Sequence, residues 1–264
     1  MIIYDTNSEK KETITITQRV PPTGYIDGHE YVDLGLPSGT LWATMNVGAT
    51  DKSDWGTFVA WGETEGATCI DRSQFTWIGK LDFTIENYKY YKSTTETSNE
   101  GEFTETKTYE GFTKYVFETN GYKGFTDNKK TLDSEDDLAT TSWGNNWRTP
   151  TANELYELTQ YCEFIYGEIN NRTGYKVSGP NGNWIFLSEA ASLDGKSRYL
   201  PGTGQIPSRI GTGTWYWSSD LVSDYSPNVL CIFGDSPAYV SSFGRYRYVG
   251  LPVRPVVNIP VANN

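Results

Sequence analysis

The chain has 264 residues, 37% hydrophobic and 15% aromatic, with 9 Trp, 19 Tyr and 11 Phe against 2 Met, so its core must be built largely from rings, which pack rigidly and specifically. Lys and Arg number 22 against 33 Asp and Glu, a formal net charge of -11, and a field of that sign repels phosphate backbones and argues against nucleic acid as a partner. No apolar run approaches the roughly 20 residues that a membrane helix needs, and Met1 to Thr17 is too polar for a signal peptide.

With 26 Gly and 12 Pro, the text favours short strands joined by turns and leaves room for one or two helices. Lys11 to Val20 alternates Thr with Ile, the period of a half-buried strand, until Pro21, Pro22 and Gly24 end it. Residues 1–30 therefore read as an N-terminal strand or linker extension, and 31–264 as one domain. YVDLGLPSGTLWATMNVGA reads as a hairpin, with strands at Tyr31 to Leu34 and around Leu41 to Val47 across a Pro-Ser-Gly turn. In FVAWGETE, Phe58 and Trp61 flank a small apolar step that Gly62 ends.

Thr94 to Lys130 is polar and holds a near-repeat, YEGFT at Tyr109 to Thr113 and YKGFT at Tyr122 to Thr126. We read the copies as two similar strands of a hairpin in a peripheral insertion. SEDDLA from Ser134 suits a short helix whose first turn favours negative charge. The clearest helix start is Thr151, preceded by Pro150 and followed by Glu154 in capping-box spacing, with Leu155, Leu158 and Cys162 forming a core-facing stripe over about three turns. GYKVSGPNGNWIFLSEA gives two strands across the turn Pro180 to Asn183, and the last fifty residues or so interleave aromatics with Ser, Asn and Asp in a series of short strands.

No GxSxG elbow, phosphate loop, GxGxxG turn or HExxH helix occurs, and the single histidine, His29, lies in a polar stretch and reads as a surface residue. Cys69, Cys162 and Cys231 are widely spaced and read as small apolar core residues rather than as a bridge with an odd thiol. Asp133, Glu135, Asp136 and Asp137 lack the alternating spacing of a calcium loop and read as a solvated helix start. Arg148 (WRTPT) and Arg254 (VRPV) read as buried forks tying loops through carbonyls or a carboxylate. No metal and no cofactor is expected.

Taken in order, YVDLGLPSGTLWATMNVGA, FVAWGETE, SEDDLATTSWGNNWRTPTANELYEL, GYKVSGPNGNWIFL, YWSSD and GLPVRPV resemble the Fibrobacter-type major paralogous domain, common in surface proteins of anaerobic gut bacteria and related to the C-type-lectin-like and formylglycine-generating-enzyme folds. The resemblance runs from about Tyr31 to Val256. It implies an α+β domain of C-type-lectin-like fold, in which one or two helices pack against small antiparallel sheets and long irregular loops are pinned by Trp and the final VRPV. The closely placed cysteine pair of the catalytic relatives has no match in Cys69, Cys162 and Cys231, so that activity does not carry over.

The tail from Tyr216 to Pro255 resembles the variable region of retroelement-diversified proteins, with WSS…RxxGxxVRPV as its fixed frame. The implied frame is Trp217, Ser218, Ser219, Leu221, Arg247, Gly250, Val253, Arg254 and Pro255. The implied varied positions are Asp224, Tyr225, Asn228, Asp235, Tyr239, Ser241, Ser242, Phe243, Arg245, Tyr246, Tyr248 and Val249; all of these but Val249, together with Tyr216, form the expected ligand-binding set. Tyr supplies rigid contact area there, and Ser, Asn and Asp supply adaptable hydrogen bonds. The expected function is non-enzymatic recognition outside the cell, of a protein or glycan on another cell or surface, by an adhesin-like module or a phage receptor-binding tip. The rivals are a carbohydrate-active enzyme with a carboxylate pair, and a fimbrial subunit that donates the Thr/Ile strand.

Overall fold

Alternation along the strand Thr214–Leu221 organises the molecule, because both of its faces are apolar and both are buried. Trp215 and Trp217 enter a large aromatic cluster with Phe58, Trp61, Tyr88 and Tyr115, whereas Tyr216 points the other way, into a second cluster with Trp42, Leu155, Leu158 and Leu187. The paired strand Pro227–Ile232 divides its side chains alike, Val229 and Cys231 to the first cluster and Leu230 and Ile232 to the second. This sheet, completed at its edge by Tyr239–Ser241, is thus a central layer between two cores. Fully burying one such side chain stabilises by about 1.5–3 kcal/mol.

The computed structural model describes residues 23–257 except 74, 101–102, 191, 201–203, 211–212, 235 and 243–244, together with the strands Ile2–Tyr4 and Lys11–Thr13. Its named strand pairings are all antiparallel, and the sheets are small, as expected of an α+β chain. A five-stranded sheet runs in the order Trp147–Arg148, Val256–Val257, Leu41–Ala43, His29–Asp33, Thr23–Ile26. The expected hairpin across Pro37-Ser38-Gly39 is its middle. Its edge hairpin turns at Asp27 and Gly28, both at positive φ (50° and 82°), the requirement of a tight primed turn, so residues 23–30 pair within this sheet.

A three-stranded sheet of Glu163–Ile169, Arg172–Ser178 and Trp184–Ser188 covers the second core. Its first hairpin turns at Asn170 and Asn171, both left-handed, and its second spans the expected turn before Trp184. A four-stranded sheet of Leu251–Pro252, Thr57–Val59, Ala67–Asp71 and Thr76–Gly79 lines the first core.

Helix α1 (Leu138–Trp143) follows a 3-10 turn at Ser134–Asp136. Of the acids in that segment Glu135 is solvated, as expected, but Asp136 and Asp137 are buried. Asp137 is the buried N-cap, accepting from Ala139 N–H at 2.9 Å and from Thr149 N–H and Oγ1 at 2.8 Å each. Asp136 is buried against Lys114, Lys89 and the Tyr115 hydroxyl; desolvation alone would push its carboxyl up, but those donors hold it far below the usual carboxylate range.

Helix α2 (Ala152–Tyr161) begins with the expected reciprocal cap, Glu154 N–H to Thr151 Oγ1 at 3.2 Å and Thr151 N–H to Glu154 Oε2 at 2.8 Å. Arg148 grips the same carboxylate through two 2.7 Å bonds, the forked pairing read from the sequence. Leu155 and Leu158 are buried, and Cys162 is the half-buried C-cap.

Two further expectations are corrected. YEGFT closes the strand Phe103–Phe112, which pairs with Tyr91–Glu100, but YKGFT forms a 3-10 turn at Tyr122–Gly124. Lys123 sits there at φ 52°, ψ 33°, a left-handed conformation no strand tolerates. His29 is half-buried and stacks on Trp143 at 3.8 Å between ring centroids, because the edge hairpin lays it on the small cluster around Trp147. Among the described residues no helix is long and apolar enough to cross a membrane.

Candidate functional site

The C-terminal frame is held by two arginines with no exposed side-chain surface to speak of. Arg254 Nε donates to Asn46 Oδ1 at 2.8 Å, and its terminal nitrogens donate to the carbonyls of Ala43 (3.1 Å) and Phe186 (2.8 Å), tying two sheets together. Arg247 donates to the Tyr88 hydroxyl at 2.9 Å and to the carbonyls of Tyr115, Asp224 and Lys114 at 3.0–3.1 Å, while its guanidinium lies 4.4 Å from the Phe112 ring centroid. Such a planar fork satisfies several loop carbonyls at once, which an ammonium could not. Trp217 Nε1 reaches Val59 O and Trp61 Nε1 reaches Ser218 O, both at 2.8 Å. Asp220 of the WSSD string accepts the Ala152 N–H at the start of α2 (2.8 Å) and the Thr131 hydroxyl (3.0 Å). Gly250 has to be glycine, since an added Cβ would stand 2.7 Å from the Phe83 ring. Every residue assigned to the frame, Trp217, Ser218, Ser219, Leu221, Arg247, Gly250, Val253, Arg254 and Pro255, is buried.

The ligand-set residues divide. Tyr225, Tyr239 and Tyr246 are 47%, 44% and 54% exposed, whereas Asn228, Ser241, Ser242, Arg245 and Tyr248 are half-buried. Asp235 and Phe243 lie outside the described residues. Tyr216 and Asp224 do not belong to a surface. Tyr216 is fully buried, its hydroxyl 3.2 Å from Asn46 Nδ2, because its strand has a core on each side. Asp224 is buried because it organises the neighbouring loop, accepting from Phe117 N–H (2.7 Å), Thr119 N–H (2.7 Å) and the Thr119 hydroxyl (2.6 Å). Desolvation would raise its pKa, yet these donors carry it below the ordinary carboxylate value. Val249, among the implied varied positions, is also buried.

The exposed rings form two groups. In the first, Tyr246 stacks on Tyr248 at 5.2 Å and 9°, and Tyr225 stands edge-on to Phe112 at 5.0 Å; the Arg247 N–H, between the stacked pair in sequence, donates to Tyr225 O at 2.9 Å and ties them to one turn. In the second, Tyr239 leans over Phe233, which packs edge-on to Trp215, and the Arg245 guanidinium lies 3.8 Å from the Trp215 centroid. Just before Tyr239, Pro237 and Ala238 line a cavity of about 360 Å³ with Thr159, Cys162, Phe164 and Tyr166. Burial pushes the Cys162 thiol up to about 12, so it is a protonated wall and not a nucleophile. The supporting rings Phe112, Phe233 and Trp215 were not among the sequence candidates; only Trp215, beside the WSS string, carried any signal.

Asp133, Glu135 and Asp136 come together closely enough to hold a cation. Lys114 bridges all three and Lys129 adds to Asp133, so the position already has its positive charge. Cys69, Cys162 and Cys231 are free thiols. No known protein family matches the chain, and no curated protein and no solved structure does either.

Proposed function

We propose that the chain is a non-enzymatic recognition module of C-type-lectin-like fold that acts outside the cell, on a bacterial surface or a phage particle, and binds a protein or glycan through Tyr225, Tyr239, Tyr246 and Tyr248. The observation that carries this reading is the division of the tail: frame residues buried without exception, and the phenol rings of Tyr225, Tyr239 and Tyr246 exposed, with that of Tyr248 half-buried beneath Tyr246. Rings held beside such a frame lose little freedom on contact, so their area converts efficiently into affinity. Half-buried Ser241, Ser242, Asn228 and Arg245 add adaptable polar contacts beside them. Exchange at the exposed positions would leave the frame intact, as a retroelement-diversified tail needs, whereas Asp224 and Val249, also among the implied varied positions, are buried.

Binding is favoured over hydrolysis by where the buried acids are spent. Asp54, Glu63, Asp136, Asp137 and Asp224 each accept bonds from backbone or side-chain donors that hold the fold, rather than facing each other across a cleft. The test is a parallel screen of wild type and the variant with Tyr225, Tyr239, Tyr246 and Tyr248 all changed to Ala, on arrays of glycans and of extracellular proteins. The reading predicts that wild-type hits weaken at least ~10-fold in a variant that stays folded. Equal affinity in both proteins, or turnover of an arrayed glycan that one carboxylate change abolishes, contradicts it.

A further inference from the structure

Away from the C-terminal rings, a second cavity of about 260 Å³ opens between the edge hairpin and the strand Trp184–Ser188, and no described residue of the candidate surface lines it. One wall is aromatic. Trp184 is 41% exposed at the end of its strand, with Phe186 on the same side of the sheet. The other wall is polar and fixed. Glu30 Oε2 accepts from Lys52 Nζ at 2.7 Å and from Thr44 Oγ1 at 2.9 Å, while its second oxygen has no partner among the described residues. Asn183 spends one amide hydrogen on Asp33 O at 2.8 Å, which orients its side chain, and its Oδ1 is likewise unpartnered among the described residues.

We propose that this cavity is a metal-independent subsite for one neutral hexopyranose unit, its apolar ring face against Trp184 and its hydroxyls shared among Glu30, Lys52 and Asn183. A few fixed polar groups converging on an aromatic wall are the usual make-up of a small-ligand site, and this volume lies just under the roughly 300–1,000 Å³ of sites for larger ligands. Sugar hydroxyls both donate and accept, so they match a carboxylate acceptor, an ammonium donor and an amide together.

Groups of both signs weigh against an isolated ion. An anion would face Glu30 and the formal net charge of -11. A cation would face Lys52 and also Lys176, whose Nζ lies 5.2 Å from the Trp184 centroid. Among the described residues Glu30 is the only carboxylate in the lining, too few oxygen ligands for a calcium cage.

The experiment is an NMR titration of the full chain, in buffer containing a metal chelator, with the methyl glycosides of glucose, galactose and mannose, and with methyl glucuronide and glucosamine as charged comparisons. The indole N–H signal of Trp184 is assigned with Trp184→Phe. We expect at least one neutral glycoside to shift that signal saturably, with a Kd on the order of 1 mM. Binding should weaken at least ~10-fold in Trp184→Ala and in Glu30→Gln, each checked for an unchanged thermal midpoint, and should persist in the C-terminal tyrosine variant. No saturable shift with any neutral glycoside, tighter binding of a charged one, or undiminished binding by Trp184→Phe and Trp184→Ala alike would overturn the assignment. Because the two sites share no residue, that outcome leaves the C-terminal reading standing, and the reverse.

Discussion

The tail from residue 214 to 257 and the hairpin from 91 to 112 are both rich in Tyr, Ser and Thr, yet they are built in opposite ways. Along Thr214–Ser219 every residue is buried, between two cores. Among the hairpin residues whose burial is described, only Phe112 is buried and most of the others face water, joined by pairs such as Thr95 Oγ1 with Thr108 Oγ1 at 3.2 Å. Tyrosine content therefore does not distinguish the two regions. What distinguishes the tail is that its exposed rings each pack on a ring that is buried or half-buried, Tyr225 on Phe112, Tyr239 on Phe233 and Tyr246 on Tyr248, beside a fully buried frame.

The comparison breaks most readily at Arg247. Arg247→Leu leaves the carbonyls of Lys114, Tyr115 and Asp224 without their donor, and we expect a loss of about 3–5 kcal/mol in urea unfolding; a loss under about 1 kcal/mol would mean the frame does not depend on it. Asp224→Asn should cost about 1–3 kcal/mol at neutral pH and alter the acid limb. Because the folded state holds the Asp224 pKa below its ordinary value, its contribution is complete above the unfolded value of about 3.9 and disappears as pH falls through the folded one. Unfolding measured against pH should show that loss in wild type and a shallower one in the variant. Thr151→Ala removes one half of the α2 cap and should cost about 1 kcal/mol. At the other extreme, Thr95→Ala in the hairpin should change stability by less than about 0.5 kcal/mol, and a larger effect would show that the hairpin is anchored as the tail is.

Much of the fold was legible where the deciding chemistry is local. The Thr151 and Glu154 cap, the strands flanking Pro180 to Asn183 and the hairpin around Pro37 each announce themselves within a few residues, and the arginine beside a proline correctly marked Arg254 as a fork. The losses came where partners are distant or where a pattern has no phase. Trp215, Tyr216 and Trp217 are all apolar-bodied, so no alternation tells that Tyr216 turns to a second core. Asp224 sits between Ser223 and Tyr225 like an exposed turn acid, and the N–H groups of residues 117–119 that bury it lie more than 100 positions away. The strand Glu163–Ile169 was missed because it follows α2 almost without a break, its end marked only by Asn170 and Asn171. In the cavity beside Trp184, residues from 30 to 186 meet only through folding, and no spacing announces them.

Hydroxyl-radical footprinting of the intact chain, read residue by residue, tests the division of the tail most directly. The account predicts fast oxidation of Tyr225, Tyr239 and Tyr246 and protection of Tyr216, Tyr88 and Tyr115 under the same dose. Oxidation of Tyr216 at the rate of Tyr246, or protection of all the C-terminal tyrosines in the free protein, would contradict it.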